Sequence, residues 1–166
     1  MHKGMDACVG GALEGDGHLG TPHFFLQQGS NPKMDALRQK FKESDAYLLV
    51  TPEYNHSIPP ALSCLMGHFG GSNYALKPSA IVSYSPGLWG GMRGAMALRP
   101  FLSELGCIPI SKLTGFPAAN NLFAEDGTVS DPNDRIHSQL PKMLQELEWM
   151  ACAMKRMRED VGLPRA

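Results

Sequence analysis

Two short segments carry the residue types best suited to chemistry. The first, TPEYNHS at 51–57, sets a rigid Pro52 beside Glu53, Tyr54 and a turn-prone Asn55. Proline fixes its own φ and asparagine tolerates turn conformations, so the segment can present a row of backbone N–H groups in a fixed array. The second, SPGLWGG at 85–91, places three glycines around Trp89. Glycine lets backbone approach a flat molecule closely, and an indole packs against a ring. Together these features suit a flat redox ring such as an isoalloxazine, whose N and O atoms accept hydrogen bonds and gain negative charge on reduction. Each segment also has a plainer reading: an ordinary turn with a capping Asn and Ser, and a Gly-rich connection with a core Trp.

Other reactive side chains are less committed. Arg93 has the planar fork that meets phosphates, or it is a solvated residue in the first turn of a helix. His56 could reach the mouth of the candidate site, but reads more simply as an exposed loop histidine. Glu53 is the carboxylate nearest the candidate ring, suited to holding the loop rather than exchanging protons. No residue pattern nominates a catalytic acid or nucleophile. The six histidines show no HxxxH or HExxH spacing, so no metal site is expected. Cys8, Cys64, Cys107 and Cys152 form no CxxC pair and read as small buried hydrophobes.

The elements that must position these segments follow from periodicity. Asn31 and Pro32 start a helix along which Met34, Leu37 and Phe41 recur, to about Glu43. The apolar run at 46–51 predicts a strand buried on both faces. Pro59 and Pro60 open a second helix striped by Leu62, Leu65, Met66 and Phe69, ended by Gly70 and Gly71. A buried strand at 79–84 leads through the second segment into a helix at about 92–104, with Pro100 expected to kink it or reset its first turn and Gly106 to stop it. A short strand at 107–111 precedes an irregular stretch with Gly115 and Pro117. A last helix is expected from about Pro141 to Arg158. Strands alternating with helices describe a parallel sheet covered on both faces, with ligands at the C-terminal strand ends. Both segments lie at that end.

Composition narrows the class. A chain of 166 residues with 43% hydrophobic and 19% charged residues builds one compact core. Fifteen basic residues balance sixteen acidic ones without a basic run, which argues against a nucleic-acid surface. Nothing near the start reads as a signal peptide and no uncharged run is long enough for a bilayer, so a soluble, cytoplasmic protein without a membrane partner is expected.

The residues then match a known family. AYLLVTPEYNHSIPPA at 46–61 resembles the flavin-loop signature of NADPH-dependent FMN reductases and their azo-, quinone- and chromate-reducing relatives. KPSAIVSYSPGLWGGMR at 77–93 is similar to that family's second flavin-side loop, and LSELGCIPI at 102–110 and the EDG turn at 125–127 continue the likeness. It covers roughly residues 22–154. The resemblance implies a flavodoxin-like doubly wound α/β sheet of order 2-1-3-4-5 over residues 22–166. It also implies FMN, with NADPH or NADH as the hydride source and a small flavin, quinone, azo or metal acceptor, and assembly as a homodimer or homotetramer. Pro52, Glu53, Tyr54 and Asn55 would contact the isoalloxazine, largely through backbone. Ser85, Gly87, Trp89 and Gly90 would line its other edge.

The first 21 residues depart from that pattern. They hold six glycines and show neither a strand-like run nor a Ser-x-Arg-x-x-Ser type phosphate loop. A βαβ unit needs about 30 residues or more. The expectation is therefore a domain lacking its first strand–helix–strand segment and the FMN phosphate site, with weakened FMN affinity and two exposed strand edges. Two alternatives to the enzyme stay open: a non-catalytic fragment associating with full-length subunits, and a flavodoxin-like electron carrier.

Overall fold

The computed structural model describes Pro22, Phe25 and residues 31–129, 131 and 134–164. The expectations for residues 1–21 and for Cys8 lie outside the described residues. Helix α1 spans Pro32–Glu43, and the Asn31 side chain accepts from the Met34 amide at 3.2 Å, as its position before Pro32 demands. Strand β1 (Tyr47–Pro52), helix α2 (Pro60–Gly67), strand β2 (Pro78–Tyr84), helix α3 (Met92–Glu104) and strand β3 (Ile108–Phe116) follow. A short helix α4 (Ala119–Leu122) and the long α5 (Ile136–Asp160) complete the chain. Among the described residues the sheet is parallel with order β1-β2-β3.

Alternation along the strands builds two cores. On one face Tyr47, Leu49 and Ile81 meet Met34 of α1, Met66 of α2, and Ala95, Leu98 and Leu102 of α3. On the other, Ala80, Val82, Ile110 and Phe116 meet Ile136, Met143 and Leu147 of α5. Leu98 and Leu102 are fully enclosed, each worth roughly 1.5–3 kcal/mol of burial. At the N-terminal strand ends, Lys77 lies buried and its Nζ donates to the carbonyls of Phe41 and Lys42 at 2.8 Å each. It thereby satisfies the last carbonyls of α1, which have no helical partner.

Several sequence expectations need correction. Strand β1 is not buried on both faces: Val50 is 61% exposed, because α5 packs against β2 and β3 and no described element covers Val50. Strand β3 runs five residues beyond the expected end at 111, through Gly115. An irregularity opposite Ser79 and Ile81 absorbs extra residues and lets pairing resume at Leu113. Helix α5 begins at Ile136 rather than at Pro141, with Asp134 Oδ1 accepting from the Ile136 amide at 2.8 Å. Helix α2 stops at Gly67, so Phe69 packs into the core from the turn beyond it. Pro100 sits inside α3, which continues past it to Glu104. Gly106, at φ 97°, ends that helix as expected. Of the described cysteines only Cys107 is buried; Cys64 is half-buried and Cys152 exposed.

Candidate functional site

Strands β1 and β2 end in register, Pro52 opposite Tyr84. The two segments singled out by their chemistry therefore leave the sheet side by side. In the first loop, Tyr54 and Ser57 exchange backbone hydrogen bonds of 3.2 and 2.9 Å around Asn55 and His56. Those two residues have φ of 49° and 60°, the sign a type I′ turn requires at both centres. Asn55 is thus the centre of a tight turn rather than a helix cap. His56 is exposed, and Tyr54 stands 57% exposed beside it.

The second loop is fixed by glycine. Gly90 and Gly91 have φ of 59° and 76°. A Cβ on Gly90 would meet the Pro117 nitrogen at 2.9 Å, and one on Gly91 the Tyr84 carbonyl at 2.8 Å. The loop is thus pressed onto strands β2 and β3 with no room for a side chain at either position. Ser85 donates its amide to Phe116 O at 3.1 Å and its hydroxyl to Gly87 O at 3.1 Å. Trp89 is 63% exposed, which removes the core-Trp reading of this segment. The Arg93 guanidinium lies 5.3 Å from the Trp89 ring centroid and 3.8 Å from Glu53 Oε1.

Glu53 joins the two loops. Its Oε2 accepts from the amides of Arg93 at 2.9 Å and Gly94 at 3.1 Å, which begin α3. A third loop contributes as well. Ala118, at φ 49°, donates its amide to Gly87 O at 3.2 Å, and Ala119 donates to Ser85 O at 3.1 Å. Sequence reasoning missed this loop, because its only signal is a proline, Pro117, after a strand whose end was set too early. On the sheet face that α5 packs against, Val50, Val82, Tyr84, Phe116, Ala119 and Phe123 line an open apolar groove of about 430 Å³ at the same strand ends.

This donor set fits a flavin ring. Among the described residues, the amides of Asn55, His56, Leu88 and Trp89 donate to no protein acceptor, and the rings of Tyr54 and Trp89 stand exposed beside them. The ring carbonyls and the N1 and N5 nitrogens are acceptors and need such donors. The phosphate half is different. In the first turns of α3 and α5 the amides already have acceptors, Glu53 for Arg93 and Gly94 and Asp134 for Ile136, and in α1 the Asn31 side chain takes the Met34 amide. Pro52, Glu53, Tyr54 and Asn55 are thus brought together with Ser85, Gly87, Trp89 and Gly90 at one end of the sheet. No described helix is long and apolar enough to cross a membrane.

Known proteins are similar to this chain in sequence or in fold. A quinone reductase from Pseudomonas putida is 37% identical over 102 residues, covering 57% of this chain and 53% of that protein. An NAD(P)H-dependent FMN reductase from Pseudomonas aeruginosa is 29% identical over 124 residues, 72% of this chain and 66% of its own length. The chain thus spans about half to two thirds of the length of these relatives. Among solved structures, the flavoenzyme NAD(P)H:(acceptor) oxidoreductase FerB from Paracoccus denitrificans superposes with a TM-score of 0.58 at 22% identity, over 84% of this chain and 78% of that one, which establishes the shared fold. Residues 14–121 match the NADPH-dependent FMN reductase family, and the chain belongs to that family.

Proposed function

We propose that this chain is an NAD(P)H-dependent flavin oxidoreductase, taking hydride equivalents from NADPH or NADH through FMN to a small acceptor: a flavin, a quinone, an azo compound or a metal ion. The observation that carries the reading is the register of Pro52 with Tyr84, which sets the uncommitted amides and exposed rings of two loops next to each other. FMN, when bound, supplies the redox chemistry. The chain's own part is alignment: Asn55, His56, Leu88 and Trp89 donate to ring acceptors, and Tyr54 and Trp89 border the ring. None of these groups needs to transfer a proton, since catalysis by stacking depends on holding the reactants about 3–3.5 Å apart in the right orientation. The family and the relatives' names support the FMN and nicotinamide assignments. The exposed apolar side chains of Leu88, Trp89, Met92 and Met96 support action as a homodimer or homotetramer.

A second reading has its own observation. Two features of β1, the uncovered face at Val50 and pairing described only to β2, favour a non-catalytic subunit that associates through that strand. One experiment separates the readings. Purified chain is titrated with FMN by flavin fluorescence, then NADPH oxidation is followed with and without a quinone. Binding with acceptor-dependent oxidation is expected. Absence of binding selects the associating subunit, and binding without NADPH oxidation selects an electron carrier.

A further inference from the structure

We propose that Glu53 is the positioning residue that holds the two halves of the ring site at a fixed spacing, a role that rests on the flavin reading above. Its side chain is only 10% exposed, and each of its described partners is a donor. The amides it accepts from lie 40 and 41 residues away, in the following βα unit. Helix α3 begins after Gly91, which has no side chain to cap it, so the first loop supplies the cap. A carboxylate on the second and third amides of a helix meets the positive end of the macrodipole through charge-assisted hydrogen bonds, roughly twice as strong as neutral ones.

The other end of the same loop is held by close approach. A Cβ on Gly94 would come within 2.9 Å of the Ser57 carbonyl and 3.4 Å of Glu53 Cα, so α3 at Gly94 is pressed against both ends of the loop. Tyr54 and Asn55, the residues that face a ring, lie between these two anchors. From Glu53 the connection continues through the Arg93 guanidinium at 3.8 Å to the Trp89 ring at 5.3 Å. One carboxylate therefore links the aromatic group of the first loop to that of the second. It acts by fixing distance, with no proton exchanged.

The test compares E53A, E53Q and G94A with the unaltered chain. Hydrogen exchange, read without any ligand, should show the amides at 54–58 and those of Arg93 and Gly94 exchanging faster together in E53A. FMN dissociation constants should rise tenfold or more in E53A, and less in E53Q, whose amide oxygen keeps an acceptor without the charge. G94A should show the same loss from the opposite side of the contact, with Glu53 intact. FMN affinity within twofold of the unaltered chain in both E53A and G94A, with the exchange change present, overturns the positioning role. Failure of the unaltered chain to bind FMN overturns the flavin reading itself, and is distinguished by needing no variant.

Discussion

Ser83 Oγ donates a 2.8 Å hydrogen bond to the carbonyl of Gly90, seven residues later, and both residues are buried. The strand end and the loop that leaves it are thereby locked together under the candidate ring site. Ser83→Ala leaves the Gly90 carbonyl without its donor in a dry place, at a cost of about 1–2 kcal/mol. Urea unfolding of S83A should show that loss with an unchanged m-value, since the folded surface is the same.

Trp89 makes the opposite prediction. It is solvent-exposed, so W89A should unfold within about 0.5 kcal/mol of the unaltered chain. Its effect should fall on the ligand instead, with FMN affinity reduced about five- to tenfold, the equivalent of roughly 1–1.5 kcal/mol for a lost ring contact. Fluorescence titration alongside urea unfolding reads both. Equal losses in stability and affinity would assign Trp89 to the fold.

Lys77 should leave a signature in the alkaline limb of stability. Burial, with the Arg158 charge adding to it, pushes its ammonium down to about 8 from 10.5. Between those values the unfolded chain binds more protons at this site than the folded one, so stability contributed here rises with pH across the window. The unfolding free energy of the unaltered chain minus that of K77M should therefore grow from pH 8 to 10.5. A flat difference would mean that Lys77 titrates like a solvated lysine.

Glu146 works the other way. Hydrogen bonds from Lys112 first and Ser111 second hold its carboxyl down to about 2. The contacts are 2.7 Å from Lys112 Nζ and 2.8 Å from the Ser111 amide, tying α5 to the middle of β3. A depressed carboxyl contributes stability that is complete above its unfolded value of 4.5 and is lost as pH falls toward 2. E146Q should flatten that part of the acid limb. The group faces solvent, so the effect should be small and shrink at high salt.

The sequence was most readable where one local rule decided the outcome. Asn31 before Pro32 is a cap and a first-turn proline, and α1 begins there. The apolar run at 79–84 is a central strand, and β2 is enclosed on both faces. Periodicity failed where tertiary contacts overrode it. Gly115 reads as a breaker, yet β3 passes through it, and the missing Cβ leaves space for the Gly90 carbonyl, 3.0 Å from where that Cβ would stand. Val50 reads as core, yet whether a strand face is covered depends on helices far away in sequence. In the site, the aromatic and turn residues were legible one loop at a time. Their connection was not: a hydrogen bond between Glu53 and amides 40 residues later leaves no spacing signal.

The turn at Asn55 and His56 also changes what substitution means at those positions. Most backbone sites are degraded by glycine, which gives the unfolded chain more freedom. Here the left-handed geometry already costs a β-carbon about 1 kcal/mol or more, so glycine at 56 relieves roughly what it loses. Replacement of His56 by glycine, asparagine or aspartate therefore reports selection on the exposed surface rather than on folding. A library screened first for folding and then for ligand binding would keep glycine, asparagine and aspartate at residue 56 in the first round, and any restriction among these in the second would come from the ligand.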